Sequence, residues 1–271
     1  MRIDVMGVGF DSLTMDEAVA RARDLMAERR AAYVVTPNPE IVMLCREDPA
    51  AMQAVQNADL VLADGIGVIY GAKILGTPLR AKLPGIDFAA ALMTQMGREG
   101  KSVFLLGAKP GVADAAGEKL RERFPGLVIA GTNDGYFQDD DPIVEKINAV
   151  QPDLLLVCLG APKQELWMEK NGPATGARLL CGLGGSMDVF AGTVERAPQF
   201  WSYGGSRRQP GRVCRQRQAR TEVFPEARSR VVLPAHQRAE AHRPHDEIAE
   251  IPVCGHRPQA AGEETPWRRV N

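Results

Sequence analysis

The sequence predicts an α/β protein, a mostly parallel sheet with helices on both faces, followed by an irregular C-terminal tail. Three observations predict it. Unbroken apolar runs of strand length recur through the first 201 residues. Stretches with helical periodicity separate them. Both patterns vanish after Trp201. Apolar runs without alternation suit parallel strands buried on both faces. Strands alternating with helices put those helices on both sides of one sheet, in a Rossmann-like arrangement.

The elements follow in order. Residues 15–30 read as a helix: Thr14 is placed to cap it, Glu17 completes a capping box, and Ala18, Ala22, Leu25 and Met26 form one apolar stripe. Further helices are predicted over 49–57, 86–96, 112–124, 142–150 and 162–170. Strands are predicted over 33–36, 60–63, 103–107, 127–131, 154–160 and 179–183, most of them ending at glycine or a polar residue. Ligands of such sheets bind beyond the carboxyl ends of the strands. That rule singles out five loops, 36–40, 64–67, 107–111, 160–165 and 182–186, which are expected to face one crevice.

Composition bounds the function. The 271 residues are 45% hydrophobic and 25% charged, ordinary for a soluble globular chain of one large or two small domains. The net charge of -1 gives no general pull towards nucleic acid. It hides an asymmetry: residues 1–201 hold 20 basic against 26 acidic residues, net −6, and residues 202–271 hold 13 arginines against eight acidic residues, net +5. Cys45, Cys158, Cys181, Cys214 and Cys254 show neither a CxxC pair nor metal-finger spacing, which suits a reducing compartment. Residues 1–10 lack the apolar region of a leader, and no segment reaches the roughly 18–20 apolar residues of a membrane span. A membrane role is therefore expected to be peripheral, at the cytoplasmic face.

Three loops carry candidate chemistry. In Thr36-Pro37-Asn38-Pro39-Glu40 two prolines hold a hydroxyl and an amide suited to a sugar or a base. Asn38 also reads as a helix N-cap with Pro39 in the first turn, and the two roles are compatible. Asp64, at a strand end before Gly65-Ile66-Gly67, is a candidate general base, with an N-cap the alternative. Gly182-Leu183-Gly184-Gly185-Ser186 is a candidate phosphate loop, with a plain tight turn the alternative. Gly65, Gly67 and Gly71 miss the dinucleotide spacing, which argues against a Rossmann oxidoreductase. Gly100-Lys101-Ser102 precedes its strand and is no P-loop. Asp139-Asp140-Asp141 reads as a solvated helix start rather than a metal site.

The segments TPNPE (36–40), LADGIG (62–67), LPGID (83–87), FLLGAKPG (104–111), NDGYF (133–137), LGAPKQELW (159–167) and GLGGSMDVFAGTVERAP (182–198) occur in an order and spacing that resembles the WecB/TagA/CpsF glycosyltransferases, glycosyltransferase family 26. The resemblance covers roughly residues 1–200. It implies inverting transfer of an N-acetylmannosamine-type sugar from UDP to a polyprenyl-diphosphate-linked N-acetylglucosamine, in teichoic acid or surface polysaccharide synthesis. It implies no metal or other cofactor, with the UDP-sugar as donor substrate. By the same resemblance Asp64 is the base, Thr36, Asn38 and Gln164 lie near the donor, and Gly184 and Gly185 approach the diphosphate. A family arginine that would neutralise departing UDP aligns with Lys82, with Arg80 the alternative. Homo-oligomerisation is left open.

The match stops near Trp201, where the family continues into apolar and basic helices that help close the site and hold the membrane. Here residues 202–271 contain 13 Arg, no Lys and seven Pro. A frameshift in a GC-rich gene accounts for arginine without lysine; a native disordered basic tail is the other reading. With the tail as written, a catalytically impaired sugar-nucleotide-binding protein is the alternative function. The expected domains are thus a transferase domain over 1–201 and a tail over 202–271.

Overall fold

The computed structural model describes residues 1–28 and 30–195. The tail, its four histidines, Cys214, Cys254 and the expected boundary near residue 201 lie outside the described residues.

The chain opens with an antiparallel hairpin, β1 (Arg2–Val5) and β2 (Val8–Asp11). It then runs through α1 (Met15–Ala27), β3 (Ala32–Val35), α2 (Pro39–Glu47), α3 (Pro49–Gln56), β4 (Leu60–Val61), α4 (Ile66–Ile74) and α5 (Gly85–Arg98). The second half comprises β5 (Ser102–Gly107), α6 (Val112–Arg123), β6 (Val128–Asn133), α7 (Asp141–Val150), β7 (Leu154–Cys158), α8 (Lys163–Asn171), β8 (Leu179–Gly182) and α9 (Ser186–Ala191). Six strands form one sheet in the order β4-β3-β8-β7-β5-β6, and every pairing in it is parallel. The mostly parallel α/β sheet read from sequence is therefore the observed architecture.

Apart from the edge strand β6, which has no buried residue, the strands of this sheet are apolar on both faces because each face has its own core. Val34, Leu60, Val103, Leu105, Leu154, Leu156, Leu179 and Cys181 pack with side chains of α1, α5, α6 and α9. Their sequence neighbours Val35, Val61, Phe104, Leu106, Leu155, Val157 and Leu180 point the other way, into a core shared with the hairpin, α2, α3, α4, α7 and α8. This two-sided burial is why no polar alternation marks the strands. Cys45, Cys158 and Cys181 are buried free thiols within these cores.

Local chemistry sets the element ends. The Thr14 hydroxyl accepts from the Glu17 N–H, and the Glu17 carboxylate accepts from the Thr14 N–H at 2.8 Å, the predicted capping box. The helix stops at Ala27, short of the expected residue 30, as Glu28 turns to extended backbone. Asp140 sits at the start of α7 and takes hydrogen bonds from Trp167, Lys170 and Asn171 of α8. The acidic run thus joins two helices, and among the described residues no three His, Cys, Asp or Glu side chains cluster as metal ligands would. Neither the hairpin nor α4 was among the predicted elements. Thr14→Ala removes the cap oxygen and is expected to lower unfolding free energy by about 1 kcal/mol, read as a shift of the urea midpoint at unchanged slope.

Candidate active site

Four of the five predicted loops line one cleft at the carboxyl ends of the strands. Its volume is about 630 Å³, and its lining includes Thr36, Asn38, Asp64, Gln164, Gly184 and Gly185. That size suits a nucleotide-scale ligand. The loop at 107–111 lines an adjoining cavity instead, through Ala108 and Lys109, and the two cavities share Gly160, Gly184 and Gly185. A larger cavity of about 750 Å³ lies at the amino ends of the strands. Its cations, Arg30 and Arg178, are already paired with Asp59 and Asp153.

The floor of the cleft is a knot of main chain and short side chains. Thr36 follows β3 and is buried; its hydroxyl donates to the Gly182 carbonyl at 3.1 Å, tying the ends of two neighbouring strands. Its donor hydrogen is therefore spent within the protein, leaving a lone pair for any ligand. Gly85 completes the knot. A Cβ there would stand 2.9 Å from the Thr36 hydroxyl oxygen and 3.0 Å from a Leu183 methyl, so no side chain fits.

Asn38 does cap α2: its Oδ1 accepts from the Ile41 N–H at 2.9 Å. Its Nδ2 donors have no partner among the described residues, so one side chain can cap the helix and still face a ligand in the cleft.

Asp64 does not cap the helix that follows it. Gly65 holds the N-cap position of α4, and no side chain caps that helix. The Asp64 carboxylate instead accepts from the Gly85 N–H at 3.1 Å, in the first turn of α5. Partial burial raises its pKa above the ordinary 3.8, with hydrogen bonds from Gly85 and Gly65 and the charge of Lys82 opposing the shift. Glu40 and Glu195 also line the cleft but are exposed.

Lys82 and Arg80 separate cleanly. Arg80 is held outside by the Glu17 carboxylate, at 2.7 and 2.9 Å. Lys82 makes no ion pair among the described residues and acts on Asp64 through its charge, although it is not part of the cleft lining.

Gln164 is buried beneath the glycine turn, and both ends of its amide are engaged. Oε1 accepts from the Gly184 N–H at 2.9 Å, and Nε2 donates to Glu165 at 2.9 Å. The Gly184 N–H is thus turned inwards, away from an anion in the cleft. The Gly185 N–H has no partner among the described residues, and a Cβ at either glycine would meet open space. Glu165 was missed by sequence reasoning. It sits in the same short segment as Gln164, but nothing local shows that it points into the protein.

The raised pKa of Asp64 sets a sign for stability. Folding favours its protonated form, so this contribution is complete below the ordinary value of 3.8 and is lost as pH rises through the raised value. Asp64→Asn keeps an oxygen for the Gly85 N–H without the buried charge. The variant is expected to be at least as stable as the parent at pH 7 and to lack this arm of the pH–stability curve, as measured by urea unfolding from pH 3 to 8.

The model of the glycosyl transferase WecG/TagA/CpsF family matches residues 3–206. An N-acetylglucosaminyldiphosphoundecaprenol N-acetyl-beta-D-mannosaminyltransferase of Bacillus spizizenii is 38% identical over 174 residues, 64% of this chain and 68% of that protein. A protein of the same name from Staphylococcus aureus strain MRSA252 is 34% identical over 203 residues, 74% of this chain and 80% of that protein.

Proposed function

Because the chain belongs to the WecG/TagA/CpsF glycosyltransferase family, we propose that it transfers an N-acetylmannosamine-type sugar from a UDP-sugar to polyprenyl-diphosphate-linked N-acetylglucosamine, with inversion, in teichoic acid or related surface-polymer synthesis. The relatives' names supply the sugar and the lipid-linked acceptor. The observation that carries the mechanism is Asp64: among the cleft carboxylates named above, it alone is partly buried, and burial raises its basicity.

The chemistry balances simply. The Asp64 carboxylate takes the proton of the acceptor hydroxyl as that oxygen attacks the anomeric carbon. The new C–O bond forms while the bond to the UDP oxygen breaks, and the electron pair leaves with UDP. The proton then passes from Asp64 to solvent. Desolvation strengthens the base, and the Gly85 N–H fixes the carboxylate so that one oxygen faces the acceptor. In this reading Thr36 and Asn38 hold donor polar groups, and Gly185 lets the diphosphate approach the main chain closely. Lys82 offers a point charge to the departing diphosphate without the bidentate geometry of arginine.

The acceptor's lipid calls for a membrane surface, and the reading places the enzyme peripherally at the cytoplasmic face. Among the described residues no helix is long and apolar enough to cross a membrane. Ile66, Tyr70 and Ile74 on α4 are exposed, on the helix that begins two residues after Asp64. An apolar face there supports contact with a lipid-bearing substrate.

The direct test is transfer from UDP-N-acetylmannosamine to a short-chain lipid-diphosphate-N-acetylglucosamine. Asp64→Asn is expected to lower kcat by on the order of 10²–10⁴-fold while calorimetry finds UDP affinity within about twofold of the parent. Unchanged turnover would reject the base. A second expectation concerns metals: with Lys82 and main-chain groups meeting the leaving diphosphate, EDTA should leave the rate unchanged, and loss of activity restored by a divalent ion would reject metal independence.

A further inference from the structure

Glu165 is almost fully buried, at 2% exposure, and its Oε2 has no hydrogen-bond partner among the described residues. An orphaned buried carboxylate oxygen destabilises the fold, so its presence calls for a reason. Burial also pushes the carboxyl up from its ordinary pKa, with the Gln164 hydrogen bond opposing.

The reason lies in the amide beside it. A glutamine side chain can sit either way up, because its oxygen and nitrogen ends have nearly the same shape. Only one orientation presents Oε1 to the Gly184 N–H; the other sets donor against donor. The Glu165 Oε1, an acceptor in either protonation state, selects the orientation with Nε2 towards it. Gly182 leaves the room this requires: a Cβ there would lie 3.3 Å from Gln164 Nε2 and 2.8 Å from the Met168 methyl.

We propose that Glu165 is a positioning residue: it sets the orientation of the Gln164 amide, which holds the Gly184-Gly185 turn in the shape that receives the donor diphosphate. The proposal rests on the reading of this cleft as the donor site. Glu165 touches no substrate, and its whole effect passes through Gln164.

A double-mutant cycle tests this on the full chain, with UDP as the probe and Gly184 amide hydrogen exchange as a second readout independent of any ligand. Glu165→Ala is expected to weaken UDP binding about tenfold and to speed exchange at Gly184. In a Gln164→Ala background the same substitution should change neither quantity further. Glu165→Gln, which keeps an oxygen for Gln164 Nε2, should restore UDP binding to within about threefold of the parent and restore Gly184 protection. Additive effects in the cycle, unchanged Gly184 exchange in Glu165→Ala, or no rescue by glutamine would overturn the proposal. A parent chain that does not bind UDP, while Glu165→Ala still exposes Gly184, would instead reject the donor reading and leave the relay standing.

Discussion

The site depends on one contact, the hydrogen bond from the Thr36 hydroxyl to the Gly182 carbonyl. It joins the carboxyl ends of β3 and β8, adjacent strands separated by most of the domain in sequence. Asp64 and Gln164 are both placed around it. The Thr36 hydroxyl oxygen and Leu183 crowd Gly85, which therefore carries no side chain, and the Gly85 N–H in turn holds Asp64. Gly182, lacking a Cβ, admits Gln164 beneath the turn that begins two residues later. The geometry of the cleft floor is thus set by main chain and by missing side chains. Such a site is stiff, because main chain in a buried sheet has few alternative positions.

Two buried carboxyl groups sit within this frame in opposite circumstances. Burial pushes both up from their ordinary values. Asp64 opens onto the cleft, accepts a main-chain N–H and lies within the field of Lys82, so its carboxyl group can exchange protons with a ligand or solvent. Glu165 is closed off, and among the described residues its one side-chain partner is Gln164. The difference is access rather than chemistry. A group that must move a proton needs a path for it, whereas a group that orients a neighbour only needs to accept one hydrogen bond.

The layered fold was legible because its signal is collective. Two-sided burial writes itself into the sequence as unbroken apolar runs, which mark five of the six main-sheet strands; the edge strand β6 was found by its short apolar run although none of its residues is buried. The hairpin was not found, since Arg2–Val5 and Val8–Asp11 are four-residue strands that mix polar and apolar side chains. Helix α4 was also missed, having a glycine N-cap without a side-chain hydrogen bond and no polar face. For the site, the loops were legible because strand ends are, and the residues named there do converge: Thr36, Asn38, Asp64, Gln164, Gly184 and Gly185 share one cleft. Their bonding was not legible. Asp64 read equally well as a local cap, and its real partner lies 21 residues further on. The inward turn of the Gly184 N–H and the role of Glu165 likewise depend on long-range packing that no local pattern records.

This distinction bears on how residue identity should be weighed at Lys82. The family resemblance implies an arginine at this position, whose planar fork grips a phosphate at two points. Arg80 offers that fork two residues earlier, but the Glu17 carboxylate already occupies it, and Glu17 is itself tied to the capping box that starts α1. Freeing Arg80 would cost an ion pair and disturb a helix cap. Lys82 carries no such commitment among the described residues, and its charge already reaches Asp64. A flexible ammonium whose charge reaches Asp64 therefore fits the proposed leaving-group role better than a guanidinium held elsewhere, even though arginine is the stronger phosphate ligand in isolation. What decides the assignment is the partner each cation already has.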